Sequence, residues 1–123
     1  MPVKVVDASA AAALLFGEPQ AQQAAARLQV SRLVSPALPP FEVASICVKK
    51  IKRRPEQRAM LLDALRLLGR LAIEYLEVDI HAVTVLAETA KLTAYDASYL
   101  WLARNLGAEL VTLDRKLELA AKS

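Results

Sequence analysis

The chain has 123 residues, 55% of them hydrophobic and 24% charged, with 16 Lys and Arg against 13 Asp and Glu. That length and apolar share fit one folded domain over residues 1–123 and exclude a disordered chain. Three Gly leave no room for a Gly-rich phosphate loop, and one Cys with one His excludes a disulfide framework and a Cys/His zinc centre. Ser-His-Asp or Cys-His chemistry would have to run through His81 alone, so carboxylates are the candidates for chemistry.

In chain order, Pro2 to Val6 is short, apolar and β-branched and predicts a buried strand ending at Asp7. Ala8 to Phe16 predicts a helix, stopped by Gly17-Glu18-Pro19, and Gln20 to Gln29 a second helix. Leu33 to Ser35 reads as a short strand. Pro36, Pro39 and Pro40 read as a turn, with Pro40 entering a helix over Phe41 to Arg54. Pro55 ends that helix, and Glu56 to Ala72 predicts one long helix. Its apolar face of Leu61, Leu62, Leu65 and Leu68 either covers the sheet or offers a partner groove. Tyr75 to Val78 is a strand, His81 to Lys91 and Ala94 to Leu106 are helices, and Gly107 is an αL cap. Glu109 to Leu113 is the last strand and Asp114 to Ala121 the last helix. Strands separated by helices predict an α/β layer fold with a parallel sheet.

Charge is uneven along this frame. Residues 49–58 hold six bases and one acid, leaving ten bases and twelve acids elsewhere, which points to a local polyanion contact. The N-terminal stretch has no basic leader, and the apolar run from Ala8 to Phe16 is too short to span a bilayer. A cytoplasmic protein without membrane association is expected, and the free Cys47 fits a reducing compartment.

The acids fall at informative places. Asp7 ends the first strand and Asp114 follows the last, and ligands of open parallel sheets bind at the carboxyl ends of strands. Asp96 and Glu42 each open a helix. Any one of them alone reads as a helix cap or dipole partner. Four acids, two of them at strand ends in apolar surroundings, are harder to read that way. A buried carboxylate needs a partner, no Lys or Arg stands next to Asp7 or Asp96 in sequence, and a divalent cation would be one.

Val5-Val6-Asp7-Ala8-Ser9, Phe41-Glu42-Val43-Ala44, Tyr95-Asp96-Ala97-Ser98-Tyr99 with the helix that follows, and Leu110-Val111-Thr112-Leu113-Asp114 together resemble the acidic motifs of PIN-domain ribonucleases. The nearest likeness is to the VapC-type toxins of toxin–antitoxin pairs. The resemblance runs through nearly the whole chain, in the family's motif order. It implies a three-layer α/β/α sandwich with a central, mainly parallel sheet. It also implies a Mg²⁺- or Mn²⁺-dependent endoribonuclease acting on RNA, a homodimer, and inhibition by a VapB-type antitoxin. Carried over by motif, the catalytic and metal-holding acids are Asp7, Glu42, Asp96 and Asp114, supported by Ser9 and Thr112. Ser45 stands where many relatives have Asn, and Lys91-Leu92 where Gly-Leu is common; neither change removes an acid.

The chemistry is consistent with that set. Phosphodiester hydrolysis without a His pair calls for a cation-activated water, and Mg²⁺ takes only one or two carboxylates directly. Asp7 and Asp96 are the expected direct ligands, with Glu42 and Asp114 orienting water or a second ion. On an ideal helix Lys49 and Arg53 return to the face of Glu42, where an RNA backbone could run. Arg104, Arg115 and Lys116 are weaker candidates. His81 reads as a surface residue and Cys47 as core. Tyr99 and Trp101 also read as core, with base stacking or a dimer contact as the other reading. The main alternative function is a non-catalytic PIN-like interaction module whose acids only cap helices. A phosphotransfer or receiver domain with Asp7 as acceptor ranks lower, because Ser9 stands where the phosphatases' Asp-x-Asp start has its second acid.

Overall fold

The computed structural model of the chain describes residues 1–37 and 39–123. Its strands are β1 (Val3–Val6), β2 (Arg32–Pro36), β3 (Glu74–Leu76) and β4 (Glu109–Val111). Its helices are α1 (Ala8–Phe16), α2 (Ala21–Leu28), α3 (Pro39–Arg53), α4 (Arg58–Leu65), α5 (Ile80–Ala90), α6 (Ala94–Leu106) and α7 (Arg115–Ala121). The strands form one parallel sheet in the order β3-β2-β1-β4.

Alternation along the strands separates two cores, one on each face of the sheet. Val5, Val34 and Leu110 point to one side, where they meet Tyr99, Leu100 and Leu102 of α6 and Leu117 of α7. Val6 and Val111 point to the other, against Ala8, Ala10 and Ala11 of α1, Leu28 of α2 and Val43 of α3. Helix α5 lies outside α6, joined through Val83, Ala87 and Ala97 with Trp101 packed beside them. The result is the expected three-layer α/β/α sandwich. Cys47 is buried as core, and among the described residues no helix is long and apolar enough to cross a membrane.

Three expectations about the elements need correction. Pro40 enters α3 as expected, but Pro39 does not stay in the turn; it is the first residue of α3, where a missing N–H costs nothing. The long helix over Glu56 to Ala72 is broken. A 3₁₀ turn at Pro55–Gln57 leads into α4, and a second 3₁₀ stretch runs from Arg66 to Leu71. Three residues per turn line up Leu65, Leu68 and Leu71 on one edge, and all three pack on the second core. Gly69 weakens the α-helical alternative there, and Ala72, left-handed at φ 54°, ends the stretch. The apolar face therefore covers the fold. Finally, β4 stops at Val111, and Thr112 just beyond it donates its hydroxyl to Asp7.

The topology places the site. The chain winds from β1 through β2 to β3 in one direction, then adds β4 on the opposite side of β1. Strand order thus reverses between β1 and β4, and a crevice opens beyond their carboxyl ends. Val6 pairs with Val111, so Asp7 and Thr112 are the next residues out of the sheet at that point.

Candidate active site

Asp7 is 4% exposed and leaves the sheet as the N-cap of α1. Its Oδ1 accepts from the Ala10 amide at 3.0 Å and from Ser9 Oγ at 2.7 Å. Its Oδ2 accepts from the Thr112 hydroxyl. The two hydroxyls are tied in turn to the β4–α7 turn. Leu113 N–H donates to Ser9 Oγ at 2.9 Å, and Asp114 N–H donates to Thr112 Oγ1 at 3.0 Å. Ser9 and Thr112 thus link Asp7 to that turn. Asp114 caps α7 through Oδ1, which accepts from Leu117 N–H at 3.1 Å.

Glu42 comes from the first turn of α3 and is half-buried. Its Oε2 accepts from Tyr99 Oη at 3.2 Å, whereas Oε1 is buried with no hydrogen-bond partner. Asp96 sits in the first turn of α6, behind the cap residue Thr93, whose hydroxyl accepts from the Asp96 amide at 3.1 Å. Glu42 and Asp96 line one cleft of about 710 Å³ together with Phe41, Ser45, Lys49 and Tyr95. Phe41 is 78% and Tyr95 56% exposed, so each of these two acids is preceded by an aromatic ring open to solvent.

The four acids feel one another. Burial is the main reason that the carboxyl of Asp7 is held above its ordinary range, with the Asp114 charge adding to it. Glu42 is raised by burial and by the charges of Asp7 and Asp96. Asp96 is raised by burial and by Asp114, with Lys116 acting against the rise. The charges couple in pairs, Asp7 with Asp114, Glu42 with Asp7 and Asp96, and Asp96 with Asp114, across four separate stretches of chain.

Among the described residues, no three acidic, His or Cys side chains stand close enough to enclose an ion unaided. An all-oxygen set with spare lone pairs still fits a hard cation that keeps several of its own waters. The undonated, buried Glu42 Oε1 is the atom that most needs a positive partner.

Lys49 lines the acidic cleft as expected. Arg53 does not; it lies against a separate groove with Phe16, Lys50 and Met60. Arg53 returns to nearly the same face as Lys49 but lies about one turn, roughly 6 Å, further along α3, beyond the cleft. His81 is exposed on α5, and Lys116 is the basic residue whose charge reaches Asp96. Ser45 borders the cleft. Lys91 takes the left-handed conformation, φ 57°, at the C-terminus of α5, so it stands in the geometry that glycine prefers. Tyr99 is core as expected, and its hydroxyl also makes a contact with Glu42 that the sequence did not announce. Its place three residues after Asp96 puts it on the same face of α6.

Comparison with known proteins agrees with this geometry. The PIN domain family profile matches residues 4–123. The chain is 36% identical over 119 residues to Ribonuclease VapC3 of Pyrobaculum aerophilum, covering 92% of this chain and 90% of that protein. It is 40% identical over 115 residues to Ribonuclease VapC9 of Mycobacterium tuberculosis, covering 92% and 87%. The crystal structure of PAE2754 from Pyrobaculum aerophilum superposes with a TM-score of 0.77 at 27% identity, over 98% of this chain and 86% of that one. By sequence and by fold, the chain belongs to the PIN-domain family, on its VapC branch.

Proposed function

We propose that this chain is a metal-dependent endoribonuclease and the toxin of a VapBC-type pair. The observation that carries this reading is the buried, unpaired Glu42 oxygen, on a carboxylate that feels the charges of Asp7 and Asp96. The VapC ribonucleases to which the chain is similar support the RNA substrate and a VapB-type antitoxin partner. A homodimer and a cytoplasmic setting are part of the same proposal.

A bound Mg²⁺ or Mn²⁺ would supply an activated water and positive charge opposite the phosphate being displaced. The chain's own residues do the rest. Asp7 is immobilised by three donors, so its carboxylate keeps one orientation. Glu42 and Asp96 line the cleft and, with Asp7, would hold the cation, while Asp114 would add negative charge through the oxygen not used for capping. Lys49, on the cleft wall, is placed to take a backbone phosphate of the RNA, and Phe41 and Tyr95 offer ring faces to unpaired bases. His81, on the exposed face of α5, has no part in the reaction.

Helix capping by Asp7 and Asp114 favours the non-catalytic reading as well, and one experiment separates the two. A short defined RNA is incubated with the wild type and with Asp96→Asn, in Mn²⁺ and in EDTA. The nuclease reading expects cutting only by the wild type and only with metal. Capping acids alone would give no cutting and no Mn²⁺-dependent rise in melting temperature.

A further inference from the structure

A glutamate in the first turn of a helix is free to swing into solvent, and the charges of Asp7 and Asp96 push Glu42 that way. Instead its carboxylate lies inward, with Oε1 buried and undonated. The group that holds it there is the Tyr99 hydroxyl, at 3.2 Å from Oε2. Tyr99 is 1% exposed, and its ring is fixed in the core among Val5, Val34 and Leu100. A ring so packed cannot follow a moving carboxylate, so the carboxylate must come to the ring. The same hydroxyl is approached by the Ala8 amide, beside Asp7, and its helix carries Asp96 one turn earlier. One oxygen therefore ties together the segments that bear three of the four acids.

We propose that Tyr99 is the positioning residue of this site: its buried hydroxyl holds Oε2 of Glu42 and thereby presents Oε1, without a protein donor, to a divalent cation. This inference rests on the metal-nuclease reading. It gives the hydroxyl a task that ring packing alone does not need, since phenylalanine would fill the same core. Hydrogen-bond partners behind a metal ligand typically govern about 10–100-fold in metal affinity.

The test is calorimetric titration of Mn²⁺ into the wild type, Tyr99→Phe, Glu42→Ala and the double variant, with kcat and KM measured on a defined RNA for the first two. Tyr99→Phe should weaken Mn²⁺ binding about tenfold. It should lower kcat by a similar factor and leave KM within about twofold, because substrate contacts are untouched. In the Glu42→Ala background it should change Mn²⁺ affinity no further. Glu42→Asp keeps the charge, withdraws it from Tyr99 and leaves the core untouched; it should also bind Mn²⁺ more weakly. Equal loss from Tyr99→Phe with and without Glu42 would mean a packing role and overturn the proposal. So would wild-type affinity in either Tyr99→Phe or Glu42→Asp. Those results leave the nuclease reading standing if the wild type binds Mn²⁺ and cuts, whereas a wild type that takes up no Mn²⁺ removes both.

Discussion

Asp7 and Glu42 are both pushed toward the protonated form by burial, yet they are held in opposite ways. On the strand wall, Asp7, Ser9, Thr112 and the Leu113 and Asp114 amides form a closed hydrogen-bond network that also ends β4 and starts α1 and α7. On the helix wall, Glu42 has one donor and Asp96 faces an open cleft. The strand wall is at once fold and site. The helix wall is held against its own electrostatics, mostly for the site's sake. Substitutions should therefore separate stability from activity on one wall and not on the other.

The largest expected effect breaks that contrast most sharply. Asp7→Ala strips acceptors from two hydroxyls and an amide and should lower stability by about 3 kcal/mol, besides ending RNA cleavage. Asp96→Asn should end cleavage equally, yet leave the metal-free protein as stable as wild type or more so, because it removes like-charge repulsion. Urea unfolding of the two variants checks this. Equal destabilisation would erase the difference between the walls.

RNA binding tests the helix wall's outer edge. Lys49→Ala should weaken binding and flatten its dependence on salt, by roughly one counterion's worth of slope. Arg53→Ala should do less, because Arg53 faces another groove. Fluorescence anisotropy with a labelled RNA at several salt concentrations reads both. Equal effects would mean that the RNA path follows α3 beyond the cleft.

The pH response sharpens the comparison next. Asp7, Glu42 and Asp96 all have folded-state pKa values above their unfolded ones, so below the unfolded values they cost the fold nothing. The penalty grows as pH rises from the unfolded values through the raised folded ones. Their contribution makes the metal-free protein melt higher at pH 5 than at pH 7.5, and Glu42→Gln should flatten that slope. Saturating Mn²⁺ should also flatten it, since a cation binds the deprotonated acids. Melting curves at the two pH values, with and without Mn²⁺, decide it.

The smallest expected effect lies behind the helix wall. Lys91 carries a left-handed backbone in the turn that leads to Thr93 and Asp96. Lys91→Gly should relieve it and stabilise the fold by about 1 kcal/mol or less, since glycine also loses more chain entropy. Cleavage should not change. A loss of activity would show that the strained turn helps to aim α6.

The strand wall was legible in the sequence because its residues obey local rules. Asp7 follows a short strand with three valines, Asp114 stands before a helix, and Ser9 and Thr112 lie two residues from them. The alternation of strands and helices likewise carried the layer fold. Less was legible where one residue serves two purposes. Tyr99 looks like any core aromatic, and nothing in its spacing reports which way a single hydroxyl points. The unpaired Glu42 oxygen is a property of packing, invisible without coordinates. Lys49 and Arg53 share a face of α3, but how far along the helix the cleft extends is set by packing. Leucines at 65, 68 and 71 suit a 3.0-residue turn nearly as well as a 3.6-residue one, so the break after α4 left no clear trace in the pattern.

The most direct test of the central claim, that four carboxylates and a cation replace histidine chemistry, is end-group analysis of a short defined RNA cut by the wild type. The account predicts 5′-phosphate and 3′-hydroxyl termini, formed in Mn²⁺, abolished by EDTA and unaffected by His81→Ala. Termini with 2′,3′-cyclic phosphate, formed in EDTA and lost in His81→Ala, would contradict it.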